Sequence, residues 1–211
     1  MRILNPQERT SEILFGLIMA LGFTGSLSAA TAGHEEIRTM LYGALGCNLA
    51  WGIVDAVMYL LSTLSQRGAG RVALERVKAS ADPAAARAVI ADALPPFIAA
   101  RMRPGDLEHL RGEILKSGDD AARAGLRATD FRGAFGVFLL VFLSTFPLVV
   151  PFLVMQEAHR ALRFSHAIGI AMLYVNGHAL GRFSGTRPVV MGLSMVALGL
   201  LLAGLTILLG G

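Results

Sequence analysis

This sequence is short of charge: Asp, Glu, Lys and Arg together make up 16% of its 211 residues, against roughly a quarter in ordinary soluble domains. With 54% hydrophobic residues and a mean hydropathy of +0.59, the shortage points to an integral membrane protein. Cysteine is nearly absent, and the single Cys47 excludes an intrachain disulfide. Aromatic residues amount to 7%, and none interleaves a basic patch in the manner of a single-strand binder. The net charge of +4 therefore does not indicate nucleic acid as a partner; basic loops beside an anionic leaflet account for it. There is no HExxH zinc helix, no GxSxG elbow and no Walker-type phosphate loop, so no constellation argues for an enzyme. No small-residue cleavage site follows the first apolar block, which argues against a cleavable signal.

What the chain does have is apolar length. Residues 41–64, LYGALGCNLAWGIVDAVMYLLSTL, can cross a bilayer as a helix, because about 20 residues at 1.5 Å each span about 30 Å of hydrocarbon. Asp55 stands near the middle of this run. A carboxylate at that depth is costly in lipid and is expected to face a helix bundle or a wet cavity. Similar apolar blocks occur at 13–32, 133–156, 164–181 and 188–209. The expected fold class is all-α: a polytopic integral membrane protein with five transmembrane helices and a helical cytoplasmic insert between helices two and three. Its regions are an N-terminal transmembrane hairpin over 1–65, an amphipathic helical insert over 66–132 and a C-terminal three-helix transmembrane region over 133–211.

The insert holds twelve of the nineteen Lys and Arg residues and nine of the fifteen Asp and Glu residues. Asp82-Pro83 reads as a helix start within it, since proline suits the first helical turn. Pro147 and Pro151 lie four apart in the third apolar block, where each removes a backbone donor and together they predict a kink. Gly22, Ser26 and Ala30 recur at four-residue intervals in the first block, the small-residue face that lets helices approach closely in lipid; we expect a helix contact there and, through it, a homodimer.

Loop arginines set the expected topology. Arg2, Arg9, Arg67, Arg71, Arg76, Arg127, Arg132, Arg182 and Arg187 fall on one side, against Arg38, Arg160 and Arg163 on the other. The excess of positive charge puts the amino terminus and the insert in the cytoplasm and the carboxyl terminus on the opposite side of a cell inner membrane.

Two groups of residues suggest metal chemistry. Cys47, Trp51, Asp55, Met58 and Ser62 follow three- and four-residue steps on one broad helical face, with Asn48 seven residues before Asp55. A carboxylate, an amide oxygen and soft sulfur suit a partly dehydrated ferrous or manganous ion, which makes Asp55, Met58, Asn48 and Cys47 the candidate transport pathway and Asp55 a candidate metal ligand. A bundle packed by a hydrogen-bonded Asp55 is the structural alternative. In the insert, Asp106, His109 and Glu113 share one helical face and Glu108 lies beside it. All four are candidate metal ligands, and the alternative is a solvated face of ion pairs with Arg103, Arg111 and Lys116.

The small-residue first block GLIMALGFTGSLSAATAG, the second block LAWGIVDAVMYLLS, and the later stretches FRGAFGVFLLVFLSTFPLVVPFL and NGHALGRFSG together resemble the vacuolar iron transporter family, which includes bacterial proteins related to the yeast vacuolar calcium and manganese transporter. The resemblance covers nearly the whole chain. It implies five membrane helices per subunit, a dimer, and an inserted helical region whose acidic residues collect metal, here Asp106, Glu108 and Glu113. Phe15 stands before Gly16 where the family carries an acidic residue, and Asp55 and Met58 take the place of its helix-two ligands. The function expected on this basis is divalent metal transport: iron or manganese exported or sequestered from the cytoplasm in exchange for protons, by an antiporter with no tightly bound cofactor and Fe2+ or Mn2+ as substrate. A membrane scaffold or regulatory subunit without transport, and a transporter of another small solute, are the alternatives.

Overall fold

The computed structural model describes residues 6–25, 34–117 and 125–208, and every regular element among them is helical. The helices are α1 (Pro6–Gly25), α2 (His34–Ala79), α3 (Pro83–Ala93), α4 (Pro96–Ala99), α5 (Pro104–Lys116), α6 (Ala128–Ser144), α7 (Phe146–Val154), α8 (Ala158–Phe183) and α9 (Pro188–Leu208). They form two compact units. One comprises Met1–Tyr59 and Phe131–Gly211, the other Leu60–Asp130.

In the first unit α8 is the central element, packing against α1, α7 and α9. Its buried residues, Ala161, Ser165, Gly169, Leu173, Gly177 and Gly181, recur every four positions and so form one stripe along the helix. The stripe consists mostly of small residues, which brings backbones close: a Cβ on Gly177 would sit 2.9 Å from the Met191 carbonyl oxygen, and one on Gly181 2.7 Å from Pro188 Cα. Leu17 of α1, Leu148 of α7 and Leu173 of α8 are fully buried together, with Leu14, Ala20 and Leu21 around them. The helix through residues 133–156 breaks at Thr145, where α6 ends and α7 begins, with Pro147 in the first turn of α7 and Pro151 inside it.

In the second unit, Asp82 caps α3 by accepting from the N–H groups of Ala84 (2.9 Å) and Ala85 (3.2 Å), and Pro83 occupies the first turn. Asp106 reaches back to the Arg103 N–H at 3.0 Å and closes the start of α5. Val77, Ala86 and Ile90 are the buried core, with Val89, Leu94, Leu107, Leu110 and Ile114 packed against them.

The five-span architecture expected from apolar blocks is corrected here. Among the described residues two helical stretches are long and apolar enough to cross a membrane, Ile37–Ala79 and Ala128–Val154. The physical reasons differ from block to block. The first turns of α1 carry Glu8, Arg9 and Glu12, and the described part of the apolar block that follows is residues 13–25. Helix α8 carries Arg160, Arg163, His166, Asn176, His178 and Arg182 along its length. Helix α9 is uncharged over Pro188–Leu208, and the apolar stretch among its fully described residues is Pro188–Leu202. With two such stretches in place of five, the multi-pass inner-membrane placement, with the carboxyl terminus opposite the amino terminus, loses its basis. Of the small-residue face, Gly22 is half-buried; Ser26 and Ala30 lie outside the described residues.

Candidate functional site

The predicted pathway residues of α2 differ in burial. Asn48 is 1% exposed. Its side-chain amide donates to the Gly16 carbonyl oxygen at 3.2 Å and to Thr145 Oγ1, so it ties α2 to α1 and to the α6–α7 junction. The closeness depends on Gly16: a Cβ there would lie 2.7 Å from the Val141 carbonyl oxygen, which already accepts from Ser144 Oγ at 2.6 Å. Gly52, one turn beyond Asn48, is buried against Phe138. Met58, in contrast, is 57% exposed, as are Trp51 and its apolar neighbours Ile53, Val54 and Val57 to a lesser degree. Cys47 and Asp55 are intermediate. Asp55 Oδ2 and Asn48 Oδ1 are buried atoms without a hydrogen-bond partner among the described residues, as are Ser165 Oγ and His178 Nδ1. Asn48 therefore serves packing between helices, and Met58 does not converge with it.

The acidic residues of the insert are engaged locally. Asp106 is the α5 cap described above. Glu108 takes Arg111 from its own helix at 2.7 and 2.9 Å and Arg87 from α3 at 3.0 Å. These two guanidinium groups hold its carboxyl below the usual glutamate range, the Arg111 hydrogen bonds most of all. Glu113 pairs with Lys116 at 3.0 Å, and His109 is exposed. Among the described residues no three His, Cys, Asp or Glu side chains group as a metal site. Iron or manganese transport by proton antiport is accordingly corrected: among the described residues there are two helical stretches able to span a membrane in place of five, and no cluster of metal ligands.

Two features remain that the sequence did not single out. The first is the apolar surface. Of the apolar window in Ile37–Ala79 only 17% is buried within the protein, and of that in Ala128–Val154 only 39%. Ile53, Val57, Met58 and Leu61 on α2, and Phe131, Phe135, Leu153 and Val154 on α6 and α7, are each close to half exposed or more. The second is a cavity of about 490 Å³ inside the Leu60–Asp130 unit. Leu74, Val77, Val89, Ile90, Leu110 and Ile114 line it, and Arg67, Arg71 and Arg127 complete the wall. Arg67 is held by Asp130 through a two-pronged pair at 2.6 and 2.8 Å, and Asp130 also accepts the Arg127 backbone N–H at 2.6 Å. The spacing of Arg67 and Arg71, one turn apart on α2, was the available signal for a basic wall; the convergence of α3 and α5 opposite them was not readable from spacing.

No protein-family model matches the chain, and no curated protein matches it. The resemblance to the vacuolar iron transporter family thus rests on the quoted sequence stretches alone.

Proposed function

We propose that the apolar faces of α2 and of α6–α7 meet a lipid bilayer, and that the chain works as a lipid-bound helical anchor carrying the Leu60–Asp130 unit, binding rather than catalysing or conducting. One observation supports this reading above others: the apolar window of Ile37–Ala79 is 17% buried. A core helix of a water-soluble protein of that apolarity would bury most of its window, because exposed apolar surface costs about 25 cal/mol per Å². A second apolar stretch, Ala128–Val154, follows the same unit in sequence, so both chain connections of Leu60–Asp130 run into apolar helix. The unbroken helix α2 satisfies its interior backbone polar groups along its own length, as hydrocarbon requires.

Trp51 tests the proposal, being the only tryptophan and lying 40% exposed on α2. The protein is reconstituted in phosphatidylcholine vesicles whose acyl chains are brominated at mid-length. Indole emission is expected to be blue-shifted, strongly quenched by the bromines and insensitive to aqueous iodide. Quenching by iodide, or a blue shift without bromine quenching because another protein copy covers the face, overturns the reading.

A further inference from the structure

We propose that the cavity of the Leu60–Asp130 unit binds a fatty-acid anion, its acyl chain among the aliphatic side chains and its carboxylate at Arg71 and Arg127. The cavity lies wholly inside that unit, so the proposal does not depend on the bilayer reading. Its volume of about 490 Å³ falls within the roughly 300–1,000 Å³ of small-molecule sites, which are apolar with a few convergent polar groups. Among the described residues the wall has that composition: aliphatic residues from α2, α3 and α5, three arginines and no carboxylate.

The charge selects the ligand's head. Arg67 is already neutralised by the fork it makes with Asp130. Arg71 has only a loose contact to Glu75, at 3.6 Å with both side chains half exposed or more, a geometry that contributes little. Arg127 is exposed and engages Asp130 through its backbone N–H. Two guanidinium groups thus stand at an apolar cavity with donors to give, and planar guanidinium matches a carboxylate in two-pronged geometry. A cationic amphiphile of the same length meets repulsion at this wall, and a neutral one forgoes the charged hydrogen bonds.

The test uses the full chain in phosphatidylcholine nanodiscs and a dodecanoate bearing a diazirine near its methyl end. After irradiation, adducts are expected on the segments 74–77, 89–94 and 110–114. Free dodecanoate should displace the label, whereas dodecylamine and dodecanol at equal concentration should not. The double variant Arg71→Ala, Arg127→Ala is expected to bind about tenfold more weakly, the scale of a lost charge-assisted hydrogen bond. Ala93→Phe, which adds bulk at an exposed position of the lining, should cut labelling with the helical circular dichroism unchanged. Adducts confined to 41–59 or 131–154, equal displacement by dodecylamine, or unchanged labelling in both variants overturns the proposal.

Discussion

Asn48 shows how one polar side chain can organise a largely apolar bundle. It is buried on a helix whose neighbouring residues face outward, and its amide spends both hydrogens on other segments, the Gly16 carbonyl and Thr145 Oγ1. Asn48→Ala leaves those acceptors unpaired in a dry contact, and we expect a loss of about 1–3 kcal/mol in denaturant unfolding followed by circular dichroism. Gly16→Ala attacks the same contact from the other side, since its Cβ would press on the Val141 carbonyl; overpacking of this kind costs about 1–3 kcal/mol. The two changes share one contact, so the double variant should lose less than the sum of the singles. Additive losses would show that Asn48 and Gly16 act separately.

At the scale of the element, start and stop signals were legible because they are local chemistry. Asp82-Pro83 begins α3, and the chain breaks ahead of Pro147, as residue type alone suggests. The number of membrane spans was not legible. Apolar content does not distinguish a helix that buries its apolar face on a neighbour, as α8 does along its stripe of small residues, from one that leaves it open, as α2 does. On α5 the ion pairs of Glu108 with Arg111 and of Glu113 with Lys116 were legible from three-residue spacing, whereas the pair of Glu108 with Arg87 on a different helix was not. The pairing of Glu108 with Arg111, and secondarily with Arg87, carries a pH prediction. The folded-state pKa of Glu108 is lowered, so its contribution is present above the unfolded glutamate value, about 4.3, and is lost as pH falls through the lower folded value. Hydrogen exchange of α3 and α5 should therefore hold steady from pH 7 to about 5 and accelerate, after correction for intrinsic rates, below about 4. Glu108→Gln should exchange faster at pH 7 and lose that acid step. A wild-type acid step that persists unchanged in Glu108→Gln assigns it to another carboxylate.

Over the whole molecule, the decisive property is that a single chain builds two compact units of different chemistry. One has a leucine-rich core threaded by small residues and an exposed apolar surface; the other has a small aliphatic core ringed by ion pairs. The shift to charged composition over 66–132 was legible in the sequence, whereas the cavity was not, since its wall comes from segments distant in sequence. The Arg67–Asp130 fork joins residues near the two sequence ends of the Leu60–Asp130 unit, with Asp130 itself 5% exposed. It closes this unit as a loop, and loop closure stabilises by restricting the chain between its ends. Asp130→Asn keeps the shape of the side chain but removes its charge and one acceptor, and we expect the unit to open more readily. Native-state hydrogen exchange read by mass spectrometry locates the effect: protection should drop across α3 and α5 and stay unchanged across α1, α8 and α9, as for cooperative segments that open separately. An equal drop in both sets would instead show that the two units unfold as one cooperative body.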